Sequence, residues 1–378
     1  MRYGMQAVAD KVNRAGGVCG RKLELKLVDD GWDYTRGGDF IRNLVQNDKV
    51  FALAVVPSSE GLLNVSKEGY LQAQKVPVVG SDGMLINQYT DPYIWPVAAS
   101  TVSTMHIMAK QAFDAGVTRF GIVYETTYHF GIEGAYAFNA AVKRLTGSDI
   151  EGYSDPFKSP KCEKLFCGIP AASQYNSELN TFTGACKPLT DPTHCQFVAL
   201  LLEPTTALNW MRNGSTKVKP TPDQNFNVAG PQPLFTYDFA KSCGDICDQM
   251  MLWTGFFPPL GDYLTRPPVA TFVEDVKAAS RSADYNNTFV QGGYLGMQLL
   301  VHALRQVGPN LTRESLRAVL DTTDFDFGLS ASLKWRKGNH FANTRMRAFS
   351  IQYKSGAIGW RDMQIELEDP WVGQDGGH

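Results

Sequence analysis

Two short polar segments follow apolar runs that have the composition of buried strands. Ser58 and Ser59 follow the run 51–56, and Gly80-Ser81-Asp82-Gly83 ends the next apolar run. A serine at the start of a helix that follows a parallel strand presents a hydroxyl beside unpaired backbone N–H groups, which suits a carboxylate. Two such segments at the carboxyl edge of one sheet predict a ligand crevice. The alternative is that Ser58 or Ser59 only caps its helix.

The segment Pro57-Ser58-Ser59-Glu60-Gly61 also resembles the nucleophile elbow of an α/β serine hydrolase. Pro57 stands where the elbow needs a small residue, which argues against a catalytic serine. The sequence has no P-loop, no His-Glu-x-x-His and no Gly-x-Gly-x-x-Gly after a strand, so no cofactor is predicted. A hydrolase is a remote alternative, and its base would come from histidines that lie in no recognisable motif: His106, His129, His194, His302, His340 or His378.

Six of the seven cysteines lie close together in segments rich in Pro, Ser, Thr and Asn. Their short separations predict at least two local disulfides, which are typical of exported proteins. A zinc site is one alternative, because His194 adjoins Cys195 and the spacings are close to those of zinc ligands, and free thiols are another. Cys19 is left without a partner. The predicted pairs are Cys162–Cys167, Cys186–Cys195 and Cys243–Cys247.

The composition is that of a globular protein with little net charge. Among 378 residues there are 36 Lys and Arg and 38 Asp and Glu, which gives a net charge of −2. A chain with so little net charge generates no electrostatic field that would attract nucleic acid or an acidic membrane. No run approaches the roughly 18 apolar residues of a membrane span, and the first residues lead into a helical pattern rather than a signal peptide.

Strand and helix patterns alternate along most of the chain, which predicts an α/β fold with parallel sheets. The segment 155–194 interrupts this alternation and is predicted to be an elaborated surface insert. The predicted strands are 22–28, 51–56, 76–80, 120–124, 197–202 and 251–257. The predicted helices lie near 61–74, 101–115, 133–145, 206–211, 269–280, 292–307 and 313–320.

Several short motifs follow one another along the chain. They are the run from Asn13-Arg14-Ala15-Gly16-Gly17 to Asp29-Asp30, the segment 43–52, Ser58-Ser59, Val76-Pro77, Tyr124 with Phe130-Gly131, Gly230-Pro231-Gln232-Pro233, Cys243-Gly244-Asp245 and Gly293-Tyr294. In this order they resemble the type I periplasmic solute-binding proteins of the branched-chain amino acid class. The resemblance covers nearly the whole chain and is weakest over 155–195.

The resemblance implies two doubly wound parallel-sheet lobes that are joined by three crossovers and close on a solute. Lobe one would comprise 1–98 and 258–328, and lobe two 99–257 and 329–368. Residues 369–378 would form a tail, with its Gly-rich part from Trp371 onward frayed.

The resemblance also implies roles for individual residues. Ser58 or Ser59, with Gly80, Ser81, Asp82 and Gly83, would hold the carboxylate of the solute and part of its amine. Tyr124 and Phe130 would pack against it, Phe130 standing where the family often has Tyr. Lobe two would close on it through Glu203, Thr205 and Gln232.

The sequence departs from the family pattern in two places. Gln232 stands where amino-acid binders tend to have an acid for the ammonium group, so Asp82 or Glu203 would have to replace that acid, or the solute lacks an amine. The family also has a first strand, which would precede Tyr3. We therefore expect that Met1 is not the natural mature start, and that segments 22–28 and 51–56 lack the strand between them.

The sequence thus predicts a solute-binding protein of an ABC importer rather than an enzyme. Its ligand would be a branched-chain amino acid or a related acid, and its partner a membrane permease. We expect a monomer located in the periplasm or outside the cell, with a lipoprotein anchor as one form. The alternative is a ligand sensor of the same fold that passes closure to a signalling partner.

Overall fold

The computed structural model describes residues 1–31, 33 and 35–376. The chain divides into two compact units, which we call unit one (1–100 and 255–344) and unit two (101–254 and 345 onward). It therefore passes between the units three times. The third passage falls at 344–345 rather than at the predicted 328–329, because Leu329, Leu333 and Trp335 are buried in the core of unit one.

The helices and strands are numbered along the chain. The helices are α1 Arg2–Arg14, α2 Gly37–Gln46, α3 Ser59–Lys67, α4 Tyr70–Ala73, α5 Asn87–Thr90, α6 Thr101–Asp114, α7 His129–Thr146, α8 Asn176–Cys186, α9 Pro204–Asn213, α10 Tyr237–Cys243, α11 Pro267–Ala279, α12 Thr288–Val307 and α13 Arg313–Leu320. The strands are β1 Leu53–Ala54, β2 Val78–Val79, β3 Ile94–Trp95, β4 Phe120–Glu125, β5 Cys162–Glu163, β6 Phe166–Ile169, β7 Phe197–Leu201, β8 Asn227–Gly230, β9 Met251–Thr254, β10 Asp324–Phe325, β11 Leu333–Lys334, β12 Arg345–Lys354 and β13 Ala357–Glu368.

The core of unit one is built on the contact between α1 and α12. Met5, Val8 and Val12 recur on one face of α1 and are buried, as their helical spacing predicts. The two helices approach closely at Gly4, where a Cβ atom would lie 2.1 Å from the carbonyl oxygen of Val290. Only glycine permits this packing.

Unit one has a short parallel sheet in the order β1-β2-β3, in which each strand has two residues. The strand predicted at 22–28 is wrong, because no strand of the described chain pairs with these residues. The alternation of Leu23, Leu25 and Leu27 is present, but a strand also requires a neighbour for its backbone groups. The backbone of Leu23 is instead held by the Asn13 side chain, at 2.7 and 2.8 Å.

Unit two contains an eight-stranded sheet in the order β13-β12-β9-β8-β7-β4-β6-β5. All six residues of β4 are buried, and its neighbours β6 and β7 run parallel to it. A continuous apolar run is the pattern expected of such a central strand. At one edge, β12 and β13 form an antiparallel hairpin through Ser355 and Gly356, which have φ angles of 51° and 84°. These angles are those of a type I′ turn.

The insert 155–194 contributes to this sheet rather than forming only a surface loop. Its strand β6 is buried beside β4, and its helix α8 buries Leu179 and Phe182. The predicted disulfides Cys162–Cys167, Cys186–Cys195 and Cys243–Cys247 are confirmed, and the zinc and free-thiol alternatives for these six cysteines are wrong. Cys19 is a free, exposed thiol.

The tail that follows β13 packs on unit two as far as the structure describes it, so the predicted fraying is wrong there. His106 is fully buried and hydrogen-bonds Asp369 at 3.0 Å and Asp375 at 3.1 Å. Arg144 pairs with Asp375, and the ring of Trp371 meets the edge of His106 at 5.4 Å. Among the described residues, no helix is both long enough and apolar enough to cross a membrane.

Candidate functional site

The candidate binding residues of unit one follow β1 and β2. These strands are parallel and adjacent, so the segments after them, Ser58-Ser59 and residues 80–83, lie at the same edge of the sheet. Ser58 stands at the N-cap position of α3, but its side chain makes no capping hydrogen bond. The structure therefore does not support helix capping as the role of the Ser58 hydroxyl.

A hydrogen-bond network joins the two segments. The Ser59 hydroxyl donates to the Asp82 carboxylate at 2.8 Å, and the side-chain amide of Gln88 donates to its other oxygen at 2.7 Å. Gln88 also accepts from the backbone N–H of Gly83 at 3.0 Å. The structure thus brings together three of the predicted residues, Ser59, Asp82 and Gly83, through a glutamine that the sequence analysis did not identify.

Asp82 is a buried acid, with 7% of its surface exposed. Burial raises its pKa to about 6, although the hydrogen bonds from Gln88 and Ser59 act to lower it. Its carboxyl group therefore changes charge near neutral pH, in contrast to an exposed aspartate.

Not every predicted donor of unit one is free for a ligand. The Gly80 N–H donates to the carbonyl oxygen of Trp95 at 2.7 Å, and the Gly83 N–H is taken by Gln88. The Ser81 hydroxyl, in contrast, is fully buried and has no hydrogen-bond partner among the residues that the structure describes. Because buried polar groups nearly always have a partner, the Ser81 hydroxyl is a candidate donor to an acceptor that the described residues do not supply.

Two acids stand at the ends of adjacent parallel strands in unit two. Glu203 is the N-cap of α9, and its carboxylate accepts from the backbone N–H groups of Thr205 and Thr206. Glu125 ends β4 and is fully buried. One of its carboxylate oxygens accepts from the Glu203 N–H at 3.4 Å, and the other has no hydrogen-bond partner within the described part of the chain. Burial raises the pKa of Glu125 to about 7.

The aromatic residues predicted to contact the ligand occupy different environments within unit two. Tyr124 is fully buried in the sheet, its ring centroid 4.9 Å from that of Phe166, and burial raises the pKa of its hydroxyl. Phe130 lies in the first turn of α7, 6% exposed and stacked on Tyr128. The structure places Tyr124 in the core, so Phe130 is the better candidate for a ligand contact.

The two remaining predicted residues are more accessible. Thr205 is exposed in the first turn of α9. Gln232 is half-buried, and its side-chain oxygen accepts from the Thr254 hydroxyl at 3.2 Å. A neutral amide at this position does not neutralise an ammonium group.

The hydrolase alternative finds no support in the geometry. Among the described residues, neither Ser58 nor Ser59 hydrogen-bonds a histidine, and the Ser59 hydroxyl donates to a carboxylate instead. The rings of His194 and His340 are bonded to backbone carbonyl oxygens, and His106 to two aspartates. His378 lies outside the described residues.

The sequence analysis missed Gln88 and Glu125. Glu125 had a usable signal, because an acid that ends an apolar strand at the carboxyl edge of a sheet is a candidate functional group. No sequence signal identifies Gln88, because it lies in the four-residue helix α5 and only the folded loop directs its side chain toward Asp82.

Solved structures with a similar fold show the fold class of this chain. A possible leucine/isoleucine/valine-binding protein from Rhodopirellula baltica is 16% identical with a TM-score of 0.76, over 96% of this chain and 90% of that one. A solute-binding protein of an ABC transporter from R. palustris, solved with benzoate, is 15% identical with a TM-score of 0.73, over 98% and 93%. Another from Rhodopseudomonas palustris, solved with p-hydroxybenzoic acid, is 14% identical with a TM-score of 0.76, over 97% and 92%. The chain has the type I periplasmic-binding-protein fold that the sequence predicted.

Sequence comparison assigns the family. The periplasmic binding protein family model matches residues 1–161 and 178–357, and the chain belongs to this family. No curated protein matches the sequence.

Proposed function

We propose that the protein is the extracytoplasmic solute-binding component of an ABC importer, which closes its two units on a small carboxylic acid and delivers it to a membrane permease. Family membership supports a solute-binding role. The two similar structures solved with benzoate and p-hydroxybenzoic acid support an aromatic acid as readily as a branched-chain amino acid. In this proposal the protein binds its solute without catalysing a reaction.

The observation that carries the proposal is the unpartnered, buried hydroxyl of Ser81. A carboxylate oxygen would accept from it, and the half-buried Ser58 would supply a second hydroxyl donor. Neutral donors suit an anion in a chain that carries no basic patch there. On unit two, Phe130 and Thr205 would supply an apolar contact and a hydroxyl.

The side chains of Asp82, Glu203 and Gln232 argue against a requirement for an amine on the solute. Both oxygens of Asp82 already accept hydrogen bonds, and Glu203 is used in capping α9. Gln232 is neutral. We therefore expect acids without an amine to bind at least as well as the corresponding amino acids.

Isothermal titration calorimetry tests the proposal with benzoate, 4-hydroxybenzoate, leucine, its deaminated analogue 4-methyl-2-oxopentanoate, and glucose. We expect at least one carboxylate to bind and Ser81→Ala to cost about 1–3 kcal/mol of its affinity, because the anion loses a donor. Ser330→Ala is the matched control, a buried serine of unit one whose hydroxyl bonds the carbonyl oxygen of Ala331. Binding of glucose alone, or an unchanged affinity in Ser81→Ala, would contradict the proposal.

A further inference from the structure

Unit two contains an open cleft of about 1160 Å³, which we call the amino-edge cleft. It is lined by segments within 180–189, 215–224 and 245–246, each of which precedes one of the adjacent parallel strands β7, β8 and β9. The candidate solute residues Glu203 and Gln232 instead follow the carboxyl ends of β7 and β8. The amino-edge cleft is therefore separate from the residues proposed to bind solute.

The charged side chains of the amino-edge cleft are mostly lysines. Lys187, Lys217 and Lys219 line it, together with one acid of the described chain, Asp245. The whole chain has a net charge of −2, so this local excess of positive charge differs from the average surface. A concave surface lined mainly by charges of one sign attracts ligands of the opposite sign.

The three lysines differ in how far the protein itself satisfies them. Lys187 directly follows α8, where a positive charge is favoured, and its ammonium group lies 3.7 Å from the Asp191 carboxylate. Lys219 lies 3.3 Å from Asp245, in an exposed ion pair of a kind that contributes little stability. The ammonium group of Lys217 has no partner among the residues that the structure describes. Local pairing therefore accounts for Lys187 but not for Lys217.

Neutral polar groups of the cleft are also free to bind a ligand. Four such side chains bond to no other group of the described chain, those of Asn180, Ser215, Thr216 and Gln224. A side-chain amide can both donate to and accept from the backbone of a peptide. The half-buried side chains of Leu189 and Ile246 add apolar surface. The cleft thus suits a ligand that combines negative charge, peptide groups and apolar side chains.

The walls of the cleft are held in place by covalent and buried polar contacts. The disulfide Cys186–Cys195 closes the segment between α8 and β7. The ring of His194, which is 9% exposed, hydrogen-bonds the carbonyl oxygens of Asp191 at 2.7 Å and Asn225 at 3.2 Å. His194 therefore ties the segment before β7 to the segment before β8. A surface that is already ordered loses less conformational entropy when it binds a ligand.

We propose that the amino-edge cleft binds an acidic, extended peptide segment of a partner protein, whose carboxylates pair with Lys217 and Lys219. Its volume exceeds the roughly 300–1,000 Å³ of small-molecule pockets, which favours a ligand of several residues. Complementary charge attracts such a segment, and its peptide groups match the free amides of Asn180 and Gln224. This interaction is additional to solute binding and does not depend on it.

A nucleic acid is a poorer occupant of the cleft. Phosphate backbones are bound through many basic residues, and single strands also stack their bases on accessible aromatic side chains. Phe182, the one aromatic residue among the described lining residues, is only 1% exposed. The cleft therefore lacks an aromatic surface on which bases could stack.

Fluorescence anisotropy tests the proposal with a labelled twelve-residue peptide, Glu-Glu-Leu repeated four times, added to the full chain. We expect saturable binding that weakens about tenfold between 50 and 500 mM NaCl, because salt screens exposed charges. The control peptide has glutamine in place of every glutamate and should bind about tenfold more weakly. Hydrogen exchange at residues 183–189 and 215–221 should slow when the acidic peptide is added. Equal binding of the two peptides, or no protection of either segment, overturns the proposal.

Lysine variants locate the site. Lys217→Gln combined with Lys219→Gln should weaken binding of the acidic peptide about tenfold and leave the melting temperature unchanged, because the Lys219–Asp245 pair is exposed. Lys217→Gln alone breaks no side-chain contact in the described chain and should weaken binding about threefold. The matched control is Lys158→Gln, which breaks an exposed pair with Asp155 away from the cleft lining and should bind as the parent does.

Three results with these proteins would overturn the proposal. The first is undiminished peptide binding in the combined variant, and the second is an equal loss in Lys158→Gln. The third is tighter binding of a twelve-nucleotide oligothymidylate than of the acidic peptide, which would identify a nucleic acid as the occupant.

Discussion

At the scale of single residues, the candidate site of unit one contains a buried acid and a tight backbone contact. Asp82 lies at its centre, holding Ser59 and Gln88, and its carboxyl group is withdrawn from water. Next to it, Gly80 has a φ of +78° and approaches α12, where a Cβ atom would lie 2.3 Å from the Cα of Gly296. The buried carboxyl group of Asp82 and the close approach of Gly80 to α12 each lead to a testable prediction.

The raised pKa of Asp82 predicts a pH-dependent stability. The native state favours the protonated acid, so the free energy of unfolding falls as the pH rises from about 4 to 6, by up to about 3 kcal/mol, and stays lower above that range. Asp82→Asn should remove this fall. Urea denaturation at pH 4.5 and 7.5 measures it, with Asp39→Asn, an exposed acid of the same unit, as the control. Parallel pH profiles for Asp82→Asn and the parent would contradict the prediction.

Gly80→Ala should destabilise unit one for two reasons. The left-handed conformation costs a non-glycine residue about 1–2 kcal/mol, and the added methyl group meets the backbone of α12. Gly69→Ala is a matched control, because Gly69 has a φ of +65° with no atom within 4 Å of the added Cβ. We expect the loss of unfolding free energy for Gly80→Ala to exceed that for Gly69→Ala. Equal losses in urea melts would show that the approach to α12 is not tight.

At the scale of elements, the sequence predicted what depends on local pattern and missed what depends on distant partners. The helices α6, α11, α12 and α13 and the strands β4 and β7 lie where periodicity places them. Residues 22–28 have a strand pattern and no strand, because pairing is a property of two segments. The hairpin of β12 and β13 was missed although its Ser355-Gly356 turn is a recognised signal.

The candidate site shows the same division. The serines after β1 and the segment 80–83 could be proposed as candidates because strand ends and turn residues can be recognised in a sequence. Which of their donors remain free was not predictable, since that depends on Gln88 and Trp95, which reach them only in the folded chain.

The contact of the tail with His106 predicts a pH-dependent attachment. Burial alone lowers the pKa of His106, but hydrogen bonds and charge from Asp369 and Asp375 raise it above its ordinary value. The attachment is therefore complete at pH 6 and weakens as the pH rises through the raised pKa. Limited proteolysis with mass analysis should release residues of the tail faster at pH 9 than at pH 6.

His106→Asn should make this release fast at both pH values. His302→Asn, on a helix of unit one, is the control and should behave as the parent does. A tail that is equally protected in His106→Asn would show that Trp371 and Arg144 hold it without the histidine.

At the scale of the whole molecule, neither unit is a continuous piece of chain. The β9 strand of unit two pairs with β12, although residues 255–344 of unit one lie between these two strands in the sequence. Residues 101–254 alone would leave β9 with a free edge and uncover buried residues such as Trp253.

We therefore expect the fragment 101–254 not to melt cooperatively, and a chain that joins 101–254 directly to 345–376 to do so. Circular dichroism against temperature distinguishes the two. The disulfides Cys162–Cys167, Cys186–Cys195 and Cys243–Cys247 are present in both fragments and so do not bias the comparison. A sharp transition in the shorter fragment would contradict the expectation.

The parallel sheet of unit one and the eight-stranded sheet of unit two differ greatly in size, and this difference has a kinetic consequence. In unit one each strand of the parallel sheet has two residues, whereas in unit two β12 has ten and β13 twelve. Long ladders keep their amide protons until a large region opens, while short ones lose them through local fluctuations. Deuterium uptake should therefore be faster in the short strands of unit one than in the long strands of unit two. The amides of β1, β2 and β3 should become labelled early, and those in the middle of β12 should still hold their protons when these three short strands are fully exchanged.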